Sequence, residues 1–100
     1  MIFAQMDYPD EYWDFHEELK SYVSNHFDRL DSGLQSDSWL WVFEGEQKVA
    51  IDTFSSMKHQ VKASTPSPLV QKVIDVLKLK YTVQVYEQPE YEPHEDGYVF

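Results

Sequence analysis

The sequence predicts an α+β fold, an antiparallel sheet of four to five strands with two helices packed on one face, in the order β-α-β-β-β-α-β. Three observations carry this. Residues 37–64 are dense in aromatic and β-branched residues and break at two turn signals, Glu44-Gly45-Glu46-Gln47 and Ser55-Ser56. Two segments, 10–28 and 68–79, keep apolar residues at helical spacing along one stripe. Short apolar or alternating runs at 2–6 and 81–86 supply a strand beside each helix.

Taken in order, Ile2-Phe3-Ala4-Gln5-Met6 is apolar and free of Gly and Pro, as a strand requires. Pro9 cannot continue a ladder and biases Tyr8 towards extended backbone. A helix over about 10–28 follows. Asp7 or Asp10 is a candidate cap, Asp10, Glu11 and Asp14 favour the positive end of the dipole, and Tyr12, Phe15, Leu19, Tyr22, Val23, Phe27 and Leu30 form the apolar stripe. Trp13, His16, Glu17 and Lys20 fall on or near the opposite flank. Asp31 to Ser38 is rich in Ser, Asp and Gly and reads as a connecting loop.

The central segment then gives strands near 38–44, 47–54 and 57–63. Gly45 can take the positive φ that a tight two-residue hairpin turn demands. With two-residue loops at Gly45-Glu46 and Ser55-Ser56, counting places Val42 opposite Val49, Leu40 opposite Ile51, Asp52 opposite His59 and Ala50 opposite Val61. One face then carries Leu40, Val42, Val49, Ile51 and Thr53 beside Lys58, Gln60 and Lys62. The other carries Trp39, Trp41, Phe43, Ala50, Phe54, Met57, His59, Val61 and Ala63. Both faces are apolar near the first hairpin, and a slip of one residue exchanges them. Whether Trp39 and Trp41 face the helices or the outside is therefore open.

Ser67-Pro68 starts the second helix, with Ser as cap and Pro where its missing N–H costs nothing. Val70, Val73, Ile74 and Leu77 form its buried stripe, and Lys78 and Lys80 complement the dipole at its end. Tyr81 to Tyr86 reads as the last strand. From Glu87 the chain turns acidic and Pro-containing, which predicts one domain over 1–86 and an extended or mobile tail over 87–100. This order approximates the β-α-β-β-α-β plan of ferredoxin-like domains, a likeness of topology that carries no function.

A chain of 100 residues suits one modest core, removing about 65% of its unfolded surface from water. The absence of Cys excludes disulfides, thiol catalysis and Cys-ligated zinc. With no basic, apolar leader and no apolar run near the roughly 18–20 residues of a membrane span, a soluble cytoplasmic protein with no membrane role is expected. The net charge of −10 is segregated: 11 acids and 2 bases over 1–46, 2 acids and 6 Lys over 47–86, and 5 acids with no base over 87–100. That balance argues against binding nucleic acid phosphates.

Motifs are sparse. His16-Glu17 lacks the second His of a zinc H-E-x-x-H helix because position 20 is Lys. His94 among Glu92, Glu95 and Asp96 suits only adventitious cation binding, and three Gly make no phosphate loop. No catalytic residue set, metal site or cofactor is expected. Asp52 opposite His59 is the one candidate acid-base pair. The favoured expectation is a non-enzymatic interaction or adaptor module in which Trp39, Trp41 and Phe43 anchor a protein partner or a second copy, with Lys58 and Lys62 nearby. The alternatives are an acidic nucleic-acid mimic that uses the 10–18 helix face and the tail to block a basic protein groove, and a small enzyme built on Asp52 and His59.

Overall fold

The structure is a computed structural model and describes residues 1–91. Its elements are β1 (Ile2–Asp7), α1 (Tyr12–Ser24), β2 (Arg29–Gln35), β3 (Asp37–Glu44), β4 (Gln47–Asp52), β5 (Gln60–Lys62), α2 (Pro68–Lys78) and β6 (Thr82–Glu90). Every strand joins one antiparallel sheet in the order β2-β3-β4-β5-β1-β6. The α+β class and antiparallel sheet thus match expectation, while the sheet has six strands and the order is β-α-β-β-β-β-α-β. The ferredoxin-like order is not matched: the meander from β2 to β5 contributes four strands where that plan has two.

The unexpected strand is β2, over residues that composition assigns to a loop. Each of its seven residues pairs in unbroken register with β3, from Arg29 opposite Phe43 to Gln35 opposite Asp37. Tertiary pairing overrides weak strand propensity here, as it does at sheet edges where half the side chains remain in water. Gly33 has a specific task. A Cβ at this position would meet the Trp39 indole at 2.4 Å, so only Gly leaves room for the ring to lie across β2. The chain reverses at Ser36, which sits at φ 61, and the Tyr12 hydroxyl donates to the Ser36 carbonyl.

The first hairpin forms as counted. Glu44 pairs with Gln47, Leu40 with Ile51 and Val42 with Val49, and positive φ at Gly45 without one at Glu46 is the type II′ pattern. The second hairpin does not. In place of a two-residue loop at Ser55-Ser56, residues 53–59 make a longer connection, and β5 keeps only three residues. The cause is local side-chain capping. Asp52 Oδ1 accepts from Phe54 N–H at 3.2 Å and Ser56 Oγ from Lys58 N–H at 3.2 Å, so the chain turns through Asx- and Ser-type turns. Asp52 therefore pairs with Gln60, Ile51 with Val61 and Ala50 with Lys62. Val61 moves to the helix-covered face and His59 leaves the position opposite Asp52.

The core lies between the helices and one sheet face. Phe15, Leu19 and Val23 of α1 and Leu69, Val70, Val73, Ile74 and Leu77 of α2 close over Ala4, Met6, Leu40, Val42, Val49, Ile51 and Val61. α1 is shorter at both ends than predicted, and its N-cap, Glu11, makes no side-chain cap bond. α2 starts as predicted, with Ser67 Oγ accepting from Val70 N–H at 3.3 Å and Pro68 in the first turn. β6 runs four residues past Tyr86, so residues 87–90 of the expected tail belong to the sheet. The rest of that tail, including the His94 cluster, lies outside the described residues, 92–100 being beyond them. No helix among the described residues is long and apolar enough to cross a membrane.

Candidate functional site

The two faces of the sheet carry the candidate chemistry, and alternation along β3 sorts it. Ser38, Leu40 and Val42 are buried beneath the helices, so Trp39, Trp41 and Phe43 lie on the outer face, half-buried. Cross-strand pairing extends each aromatic residue into a row: Arg29, Phe43 and Lys48; Asp31, Trp41, Ala50 and Lys62; Gly33, Trp39, Asp52, Gln60 and Gln5.

The two indoles are in contact with their planes tilted. The Trp39 and Trp41 centroids are 4.3 Å apart at 34°, Lys48 Nζ stands 3.8 Å over the Trp41 ring, and Arg29 lies 5.4 Å over Phe43. Lys48 and Trp39 thus both touch Trp41, and Trp39 lies across Gly33. An ammonium over the Trp41 ring and an indole beside it compete with a base for that ring. The half-buried aromatic surface left over suits side-chain packing in a protein interface.

Beside these rings the outer face holds a buried ion pair. Lys62 Nζ is 2.6 Å from Asp52 Oδ1, the two side chains being 4% exposed each. They are diagonal neighbours on β4 and β5, and the β4–β5 connection covers them: Phe54 N–H donates to Asp52, Lys62 reaches Ser55 Oγ at 3.4 Å, and the Phe54 ring lies 5.8 Å from the Lys62 ammonium. A cleft of about 520 Å³ opens next to the pair, with Lys48, Ala50, Asp52, Lys62, Ser64 and Thr65 among its lining. Gln60 Nε2 donates to Gln5 Oε1 at 2.9 Å, while the buried Gln60 Oε1 has no hydrogen-bond partner among the described residues.

Of the predicted interface residues, Trp39, Trp41, Phe43 and Lys62 share the outer face, Lys62 being committed to Asp52. Lys58 stands elsewhere. Its ammonium donates to the carbonyls of Tyr8 at 2.7 Å and Asp10 at 2.8 Å, fastening the β1–α1 connection. Lys48, which sequence reasoning left unassigned, takes the place beside the rings. Asp52 and His59 are not brought together, because the longer second loop puts Asp52 on the outer face and turns His59 inwards.

His59 belongs instead to a buried polar chain that sequence reasoning missed. Its backbone N–H donates to the Tyr8 oxygen at 3.2 Å, and we assign the phenol O–H as donor to His59 Nδ1 at 2.6 Å, the acceptor within its reach. Nδ1 is then an acceptor, and neutral His59 donates from Nε2 to Ser38 Oγ at 2.7 Å. Ser38 in turn donates to His16 Nδ1 at 2.6 Å. Tyr8 and His16, on either side of the start of α1, are thereby joined through Ser38 of β3 and His59 of the β4–β5 connection. Burial, with the nearby His16, pushes His59 down to about 3; burial also lowers His16, and raises the Tyr8 phenol to about 12. All three are neutral at pH 7. A Ser–His contact resembles part of a hydrolytic site, but Ser38 and His59 are fully buried and line neither the 520 Å³ cleft nor a second of about 390 Å³ between Gln5, Lys58 and Gln84. This chain fixes α1 to the sheet.

Comparison with protein-family models, curated proteins and solved structures finds no match for this chain. Among the described residues no group of His, Asp or Glu is placed to hold a metal ion.

Proposed function

We propose that the protein is a non-enzymatic interaction module whose outer sheet face takes an apolar segment of a protein partner, with Trp39, Trp41 and Phe43 as anchors and Lys48 and Arg29 at the border. The observation that carries this reading is the position of three half-buried aromatic residues on the sheet face that bears no helix among the described residues. Large rings already in contact lose little side-chain entropy on binding, which is why Trp and Tyr dominate interface energetics. Arg29 and Lys48 stand over Phe43 and Trp41 while Asp31 lies opposite Trp41, so the border carries both signs and suits a partner whose apolar residues are flanked by charges of both signs.

The test is a comparison of proteins recovered from the native cell with the wild-type chain, with Trp41→Ala, and with Glu17→Gln on the exposed face of α1. Partners retained by Glu17→Gln and lost by a folded Trp41→Ala support the reading. Identical recovery with all three chains refutes it. Loss confined to Glu17→Gln would favour the acidic-mimic alternative, whose exposed carboxylates on α1 include Asp14 and Glu17.

A further inference from the structure

We propose that the protein self-associates through the free edge of β2, the β2 strands of two copies pairing antiparallel about Ser32 so that the two six-stranded sheets become one. The sheet order leaves two edges, β2 and β6, and they are built differently. β6 is guarded. Its pairing with β1 jumps from Ala4 opposite Val85 to Ile2 opposite Glu90, and Pro89, Glu87 and Glu90 lie at this irregular end. Bulges, Pro and charge are the devices that keep an edge from pairing further. β2 has a regular register with β3 over all seven residues and contains no Pro. Among the described residues nothing outside β3 hydrogen-bonds to residues 29–35.

The β2 sequence is also complementary to itself. With Ser32 opposite the second copy's Ser32, Leu30 meets Leu34, Asp31 meets Gly33 and Arg29 meets Gln35. No like charges oppose. Moving the centre to Asp31 would set two carboxylates face to face, a destabilising pair. Ser32, Leu30 and Leu34 have the parity of Leu40, Val42 and Ser38, so this register places both copies' helices on the same side and sets the leucines beside one another. It also brings together apolar surface that one copy leaves in water, since Leu34, 42% exposed, then meets the second copy's Leu30. The edge adjoins the aromatic face, so the two proposals are separated by residues that belong to one surface each: Leu34, which has the parity of the helix-covered face, and Trp41, one strand in from the edge.

The experiment is sedimentation equilibrium at roughly 100 μM, where a micromolar dimer is populated. The expected mass is twice the 11.9 kDa of the chain. Because the chain has no Cys, Ser32→Cys introduces a single thiol. In this register the two Cα atoms face each other at about 4.5–5.5 Å, within disulfide reach, so mild oxidation should give a covalent dimer. Asp31→Cys, displaced from its own counterpart by two residues, should cross-link far less. Leu34→Lys should weaken association about tenfold or more while far-UV circular dichroism stays unchanged, and Val85→Lys on the other edge should leave it intact. Since each copy carries −10, added salt should strengthen association. A monomer at this concentration, a dimer that Val85→Lys rather than Leu34→Lys dissociates, or equal cross-linking by both cysteine variants would overturn the proposal.

Discussion

The inner and outer faces of this sheet solve the burial of polar groups in opposite ways. Beneath the helices every buried polar side chain of the Tyr8–His59–Ser38–His16 chain is neutral and hydrogen-bonded in sequence. On the outer face, which carries no helix among the described residues, Asp52 and Lys62 are buried as a pair beneath the β4–β5 connection. A neutral chain depends on pH because its members must stay uncharged. An ion pair depends on both members being present. The difference turns each face into a separate perturbation experiment.

The largest expected effect is on the inner face. His59 has a folded-state pKa near 3, depressed below its ordinary value of 6.5, so the unfolded chain takes up the proton first. The stability associated with neutral His59 is fully present above about pH 6.5 and is lost as pH falls towards 3, amounting to roughly 5 kcal/mol over the whole window. His16, lowered by the same burial, acts in the same direction. Urea unfolding between pH 7 and pH 4 measures this. A flat profile would show that His59 is not buried as a neutral group. At the other extreme, Tyr8 is raised to about 12, so its contribution is complete below pH 10 and fades above it.

The outer face should respond to truncation instead. Asp52→Ala leaves the Lys62 ammonium nearly fully buried without its carboxylate, and the expected cost is about 3–5 kcal/mol in chemical denaturation. The double variant Asp52→Ala with Lys62→Met should recover most of that loss, since the buried charge loses its attraction to Asp52 in the single variant and is itself removed in the double. A single variant as stable as the double would mean that the loop opens and hydrates Lys62.

These two sites also show what the sequence could reveal. Helix stripes, the Ser67-Pro68 start and the Gly45 hairpin were legible because each rests on local backbone chemistry. Leu40 opposite Ile51 followed from that hairpin alone. The Asp52 pairing failed because one loop of unknown length sets the parity of everything after it, and side-chain caps from Asp52 and Ser56 lengthened that loop. β2 was hidden because its evidence lies in β3: Gly33 reads as a loop residue until Trp39 is seen lying across it. The buried polar chain left one sign. Ser38 shares the parity of Leu40 and Val42, and a hydroxyl in a core-facing position requires a partner.

The paired indoles give a smaller test of the outer face. Gly33→Ala places a methyl group within 2.4–2.6 Å of Trp39 ring atoms, so the indole must move off β2. A loss of about 1–2 kcal/mol is expected from the forced repacking. The accompanying signature is optical. Indoles 4.3 Å apart should give a coupled circular dichroism band, and Gly33→Ala should weaken it. An unchanged band would place Trp39 away from Gly33.

The smallest expected effect isolates burial itself. Lys72 and Glu44 form a pair at 2.8 Å, close to the 2.6 Å of Lys62 and Asp52, yet their side chains are 54% and 53% exposed. Water and salt screen the exposed pair, and holding two long side chains in one geometry costs entropy, so Lys72→Ala should change stability by no more than about 0.5 kcal/mol. Chemical denaturation of Lys72→Ala beside Asp52→Ala compares two contacts of nearly equal length. If the two losses were equal, distance rather than desolvation would govern ion pairs in this fold, and the contrast between a loop-covered outer face and open solvent would fall with it.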